Sequence, residues 1–260
     1  MFSNLVSIIT GSGQGIGKAI ALRFASQGSL VVIADINEEN SIQTAKEIRD
    51  TYGLETLVVK VDVGVEDQVQ KMMETSYKWK DRIDFLINNS GIAGVSKQTE
   101  EIHIDEWDNV LKINVNGVFL CCKHAIPFMK NRNKQRAIVN IASVTGKRPL
   151  INRLPYATSK MAVIGLSRTL ATEIGPYNIR VNSICPGAIL GERQQFVNKS
   201  LAKAKGRSIE EVKQEKLESS PLRSFVDPKY VAAMVSFLCS DDAAMITGQD
   251  INVSAGVVMY

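Results

Sequence analysis

Short, nearly uninterrupted apolar runs alternate along the chain with longer stretches whose apolar residues recur at helical spacing. The runs are Leu5–Ile9, Leu30–Ala34, Thr56–Val61, Ile83–Ile87, Ala137–Ala142, Ile179–Ile184 and a last short one, Ile251–Val253. They are rich in Val and Ile and lack the alternation of a half-exposed strand, so they read as strands buried on both faces. Helical spacing marks Ile16–Gln27, through Ile16, Ile20, Leu22 and Phe24, and then 38–51, 66–79, 105–131, 155–175 and 228–239. Strand and helix in alternation predict an α/β fold. It is a Rossmann-type, doubly wound parallel sheet of about seven strands, with right-handed crossovers and helices on both faces. No repeat or low-complexity linker divides the 260 residues, so the pattern predicts a single domain over 1–260.

The rhythm breaks between 188 and 226. Arg193, Lys199, Lys203, Lys205, Arg207, Lys213 and Lys216 are interleaved there with Glu, and Phe196, Val197, Leu201, Ile209, Val212 and Leu217 suggest two short helices. An excursion after the sixth strand sits at the C-terminal edge of the sheet, where α/β sheets bind ligands. The segment is expected to be a substrate lid; the plainer alternative is a solvated helical surface.

Composition narrows the function. The chain is 45% hydrophobic and 22% charged, which excludes disordered, collagen-like and disulfide-scaffold classes. Its net charge of +4, from 31 basic against 27 acidic residues, is a mild excess. The basic residues are not clustered with stacking aromatics, so no nucleic-acid partner is expected. No apolar run is long enough to span a membrane. The first residues lack a basic leader and a cleavage site, which points to the cytoplasm and makes the N-x-S matches at Asn88, Asn198 and Asn252 chance. Cys121, Cys122, Cys185 and Cys239 form no C-x-x-C pair and read as reduced thiols. His103 and His124 belong to no Cys/His cluster, so no metal is expected.

Chemistry enters at the turn after the first strand, Thr10-Gly11-Ser12-Gly13-Gln14-Gly15-Ile16-Gly17. Glycines let the backbone turn tightly and approach a pyrophosphate, and the helix N-terminus beyond offers unpaired N–H groups. Asp35 ends the second strand, 18 residues past Gly17, where a carboxylate accepts hydrogen bonds from adenosine ribose hydroxyls. That carboxylate would repel a 2′-phosphate, and the neighbours Gln14 and Ile36 supply no cation, so NAD is favoured over NADP. Capping of the 38–51 helix by Asp35 is the weaker reading, because Asn37 is better placed.

Ser143 follows the fifth strand, Tyr156 comes 13 residues later, and Lys160 four residues after that, on the same helix face. Tyrosine ordinarily ionises near pH ~10, and each unit of lowering needs about 1.4 kcal/mol. A desolvated ammonium and a positive nicotinamide ring can supply such stabilisation, giving a phenolate usable as a base near neutral pH.

Taken together these residues resemble the classical short-chain dehydrogenase/reductase family over essentially the whole chain. The resemblance rests on Thr10-Gly11-x-x-x-Gly15-Ile16-Gly17, Asp62-Val63, Asn88-Asn89-Ser90-Gly91, Asn114, Ser143, Tyr156-x-x-x-Lys160 and Pro186-Gly187. It implies Tyr156 as general acid/base, Ser143 orienting the substrate oxygen, and Lys160 lowering the Tyr156 pKa and holding the nicotinamide ribose. Asn114 would help keep a water for a proton relay from Lys160. For the cofactor it implies Gly11, Ser12, Gln14, Gly15, Ile16, Gly17, Asp35 and Ile36 around the adenosine diphosphate, Asp62 and Val63 at adenine, and Asn89 along the groove. Ile184, Pro186 and Gly187 would surround the nicotinamide, with the Ile189 amide at its carboxamide. Plainer roles stay open for several: Asn88 and Asn89 as strand ties, Asn114 as a helix-kink residue, Pro186-Gly187 as a turn. There are departures. Ser90 stands where Ala is frequent, Gly191 where a Thr often bonds the nicotinamide amide, and Ser254-Ala255-Gly256 where Asp-Gly-Gly is frequent.

The implied reaction is hydride transfer between an alcohol or carbonyl and NAD(H). Lys147, Arg148 and Arg153 lie between Ser143 and Tyr156, and Arg193 follows the Pro-Gly turn. Such cations suit an anionic substrate, whose carboxylate, phosphate or sulfonate an Arg fork would match; solvated or subunit-contact roles are the alternative. An NADPH-dependent 3-oxoacyl thioester reductase of the same family is the rival activity, and a non-catalytic NAD-binding scaffold the rival class. The resemblance further implies a homotetramer, or a homodimer, paired through the helices near 105–131 and 155–175; Met129, Phe119, Met161 and Leu166 read equally as part of such faces or as ordinary core.

Overall fold

All seven apolar runs form strands in the computed structural model, which describes residues 1–130 and 136–260, less the side chains of Glu192, Arg193, Ala204 and Lys205. In chain order the elements are β1 (Val6–Thr10), α1 (Gly15–Ser26), β2 (Leu30–Asp35), α2 (Glu38–Tyr52), β3 (Thr56–Lys60), α3 (Glu66–Lys80) and β4 (Phe85–Asn88). Then come α4 (Ile104–Leu111), α5 (Gly117–Met129), β5 (Arg136–Ile141), α6 (Val144–Lys147), α7 (Leu154–Ile174), β6 (Ile179–Pro186), α8 (Glu192–Lys205), α9 (Ile209–Glu218), α10 (Pro228–Cys239) and β7 (Asp250–Val253).

The strands form one sheet in the order β3-β2-β1-β4-β5-β6-β7, and every neighbouring pair is parallel. The chain winds outward from β1 to β3, returns to lay β4 on the other side of β1, and winds outward to β7. That reversal leaves a crevice at the C-terminal ends of β1 and β4, the place where such sheets bind ligands.

Successive strand residues point to opposite faces, and both faces are covered. Val31 and Ile33 pack with Ile20 and Phe24 of α1, Ile48 of α2, and Val231, Val235 and Leu238 of α10. Val32 and Ala34 pack with Met72 and Met73 of α3, Cys121 and Ala125 of α5, and Val163 and Ile164 of α7. Two covered faces explain why the runs lack polar alternation. Each fully buried Val, Ile or Leu contributes about 1.5–3 kcal/mol, so a polar residue on either face needs a hydrogen-bond partner to be tolerated. The four cysteines are free and buried, in line with the reduced-thiol reading.

The 105–131 stretch is not one helix; its last residue, 131, lies outside the described residues. A π-helical turn, Lys112–Asn116, separates α4 from α5. Tertiary bonds hold it there: Asn114 Oδ1 accepts from Ile92 N at 2.8 Å, and its Nδ2 donates to Ile92 O and to Ser159 Oγ, both at 3.0 Å. Residues 188–226 contain the two expected helices, α8 and α9, with a small cluster of their own formed by Leu201, Ala202 and Val212. Among the residues considered for subunit faces, Met129 is core and Leu166 packs against it, whereas Phe119 and Met161 are about half exposed.

Candidate active site

The glycine turn closes on itself through backbone. Gly11 has φ +64 and Gly15 φ +57, a region that favours glycine. Gln14 caps α1 without a side-chain bond, and the first turn carries no acidic residue, so its N–H groups face the crevice uncompensated and suit an anion. Ser12 does not line that opening. It is fully buried, donating to Ile9 O at 2.7 Å and accepting from Ala34 N at 3.1 Å, so its hydroxyl ties β1 to β2.

Asp35 stands at the end of β2, half-buried, with Oδ2 accepting from Gly13 N at 2.9 Å and Oδ1 from Asn37 N at 3.0 Å. The carboxylate is thereby oriented and keeps lone pairs toward the turn. Ile36 is exposed, and Asn37 caps α2 as expected by accepting from Asn40 N. Asp62 folds its Oδ1 onto Gly64 N. Val63 is buried against Gly117, so any ligand contact there falls to its backbone.

Asn89 donates from Nδ2 to Thr10 O and Gly11 O, and its N–H donates to Thr10 Oγ1. It holds the glycine turn to the end of β4. Asn88 takes the plainer role open to it, bonding Asn140 across the sheet at 2.8 Å. Pro186 ends β6. Gly187 donates to Val253 O at 2.9 Å, and a Cβ there would lie 2.9 Å from Ser254 Cα. Ile189 bridges to Val226. Gly191 has φ +138, a conformation closed to a β-branched residue, so the path here excludes the Thr often found at that place in the family.

Ser143 follows the end of β5, to which Lys160 of α7 is bonded, and Tyr156 lies one turn before Lys160. Ser143 caps α6, with Oγ accepting from Thr145 N at 3.1 Å. Gly146 of α6 sits where a Cβ would lie 2.9 Å from Lys160 C and Met161 N, so α6 docks on the α7 backbone and fixes Ser143 relative to α7. Lys160 is 4% exposed and donates from Nζ to Ile141 O at 2.8 Å, with its ammonium 5.8 Å from the Tyr156 ring centroid. Gly91 leaves room for both Asn114 Oδ1 and Lys160 Nζ, since a Cβ there would lie 3.0 and 3.5 Å from them. The Asn114 amide bonds Ile92 and Ser159 and so helps shape this cluster. Ser159, which also bonds Tyr156 O at 2.8 Å, carries no sequence signal, because its partner Asn114 is distant along the chain.

The expected basic mouth divides into separate parts. Lys147 is not part of it. Its Nζ pairs with Asp250 Oδ2 at 2.6 Å and donates to Tyr260 O at 2.8 Å, tying α6 to β7 and the C-terminus. Arg148 is exposed. Arg153 is buried at 5% exposure, donating to Ser96 Oγ at 3.1 Å with its guanidinium 4.9 Å from the Tyr156 ring centroid. The Arg193 side chain lies outside the described residues. Among the described residues no His/Cys/Asp/Glu group is placed to hold a metal, and no helix is long and apolar enough to cross a membrane.

Burial pushes the Asp250 carboxyl up, but hydrogen bonds from Lys147 and Arg168 outweigh it and hold the group below its ordinary value of 3.8. A depressed folded pKa contributes stability above the unfolded value, and this is lost as pH falls through the folded one. Asp250→Asn is therefore expected to cost about 1–3 kcal/mol at neutral pH. Thermal melts of variant and parent should converge in acid. An equal gap at both ends of the pH range would contradict the pairing.

Comparison with known proteins follows the same outline. A family model described as enoyl-(acyl carrier protein) reductase matches residues 11–258. The chain is 36% identical over 252 residues to the 3-oxoacyl-[acyl-carrier-protein] reductase FabG of Aquifex aeolicus (strain VF5), covering 97% of this chain and 96% of that protein. It is 33% identical over 254 residues to glucose 1-dehydrogenase 2 of Bacillus subtilis (strain 168), covering 98% and 95%. The structure of an NAD+-bound xylitol dehydrogenase superposes with a TM-score of 0.95 at 32% identity, over 98% of this chain and 99% of that one.

Proposed function

The chain belongs to the short-chain dehydrogenase/reductase family of oxidoreductases, and from that premise we propose that it interconverts an alcohol and a carbonyl with NAD(H), using Tyr156 as general acid/base. The observation that carries this reading is the buried Lys160 ammonium, one helical turn from Tyr156 and anchored on Ile141 O at the end of the strand that leads to the α6 cap Ser143. A cation there favours the phenolate. Tyr156 takes the proton from the substrate hydroxyl in oxidation and returns it in reduction. Ser143 Oγ orients the same oxygen.

The glycine turn, with its bare α1 N-terminus and the Asn89 clamp, fits a pyrophosphate. Asp35 fits a ribose carrying free hydroxyls. Bound there, a nicotinamide dinucleotide supplies the carbon that accepts or gives the hydride. Half-exposed Phe119 and Met161 support association of like chains, with a homotetramer as part of the reading. Exposed Arg148 keeps anionic alcohols a class worth testing.

The oxoacyl reductase relative favours a second reading, reduction of a 3-oxoacyl thioester with NADPH. Equilibrium titration separates the two. NADH is expected to bind at least about tenfold more tightly than NADPH, a difference of about 1.4 kcal/mol, and Asp35→Ala should erase the preference. Tighter NADPH binding together with thioester reduction would replace the first reading by the second. An NAD-linked screen over sugars, polyols, hydroxy acids, sulfonated alcohols and steroids then identifies the substrate.

A further inference from the structure

Of the two arginines of the expected mouth whose side chains are described, Arg148 is exposed and Arg153 is carried inward. It sits just before α7 at 5% exposure, its Nη1 donating to Ser96 Oγ on the segment after β4, and its guanidinium lies 4.9 Å from the Tyr156 ring centroid. Burying a guanidinium this deeply is unfavourable unless its surroundings favour the charge. An aromatic face does so through its quadrupole, and a phenolate does so more strongly, because the ring then carries a full negative charge. An interaction stronger with the ionised form lowers the pKa. We propose that Arg153 is a positioning residue for the proton-transfer step: held by Ser96 over the Tyr156 ring, it fixes the ring and lets Tyr156 ionise at lower pH than Lys160 alone allows. This rests on the reading of Tyr156 as general acid/base.

Among the described side chains, the other charged or titratable groups around the site do not substitute for it. Lys160, on α7 itself, lies farther from the ring centroid, at 5.8 Å. On β6, burial pushes the Cys185 thiol up to about 11, leaving it neutral. Lys147 of α6 and Asp250 of β7 neutralise each other at 2.6 Å. Lys97, after β4, pairs with Glu106 of α4 at 2.7 Å, and Arg148 is exposed.

The test needs no substrate. Tyrosinate formation is followed by ultraviolet difference absorbance on the full chain saturated with NAD+, and the step missing in Tyr156→Phe is assigned to Tyr156. Arg153→Gln is expected to move that step upward by about 1–2 pH units, Arg153→Lys to keep most of the wild-type value, and Ser96→Ala to move it part way. Near-ultraviolet circular dichroism reports whether each variant is folded. A step unmoved in folded Arg153→Gln overturns the proposal, as does a shift equally large in Arg153→Lys; both leave Tyr156 as the base. If Arg153→Gln does not fold, Ser96→Ala decides in the same way. Absence of a Tyr156 step below about pH 9 in the wild type, against an ordinary value near 10, overturns the proposal together with the general-base reading.

Discussion

Tyr156→Phe is expected to lower kcat by about 10²–10⁴-fold on whichever alcohol the screen returns, with NADH binding and melting temperature close to those of the parent. The variant deletes one oxygen. The ring under Arg153 is kept, as are the Ser159 bond to Tyr156 O and the Lys160 bond to Ile141 O. The cofactor crevice and the α7 packing should therefore survive, and the loss should fall on the proton-transfer step. Steady-state kinetics at saturating cofactor, with a fluorescence titration of NADH and a thermal melt, separates these effects. A kcat within tenfold of the parent would remove Tyr156 from its assigned role. A loss accompanied by failure to bind NADH would make it a structural residue.

The fold was legible because a parallel sheet covered on both faces leaves a signal that needs no partner information: Val31, Val32 and Ile33 are all apolar since each faces a core. The site motifs were legible where chemistry demands a local pattern. The glycine turn and the Tyr156–Lys160 turn are set by backbone geometry within a few residues. What escaped depends on contacts distant in sequence. The π turn at Lys112–Asn116 contains Asn114, for which the sequence leaves a helix-kink role open, but the partners that clamp its amide, Ile92 and Ser159, cannot be read from periodicity. Likewise Lys147, Arg148 and Arg153 look equivalent along the chain. Only the fold sends the first to Asp250, leaves the second in solvent and buries the third against Tyr156. Ser12 belongs to the glycine motif by position, yet its hydroxyl serves the sheet.

Gly17→Ala should damage the cofactor site more than any other single methyl group. A Cβ at Gly17 would lie 2.0 Å from Gly11 O, 2.7 Å from Gly11 C and 2.6 Å from Asn89 Nδ2. Two of these are backbone atoms of the turn, so no side-chain rotation relieves the contact. Either α1 moves away from the turn or the turn opens, and both displace the N–H groups that face the crevice. Overpacking of this kind typically costs about 1–3 kcal/mol; here it also strikes the Asn89 clamp on Thr10 O and Gly11 O. NADH affinity should fall by more than the melting temperature alone would suggest. Gly15→Ala provides a graded comparison: nothing lies within 4 Å of its Cβ position, but φ is +57, so only backbone strain of about 1–2 kcal/mol applies. Gly165→Ala provides the opposite sign, since no atom lies within 4 Å and the site is inside α7, where Ala is favoured by about 1 kcal/mol. The order expected in melts and NADH titrations is Gly165→Ala above parent in stability, Gly15→Ala below it, and Gly17→Ala lowest with cofactor binding lost. Wild-type NADH affinity in Gly17→Ala would mean that close contact between α1 and the turn is not what forms the dinucleotide site.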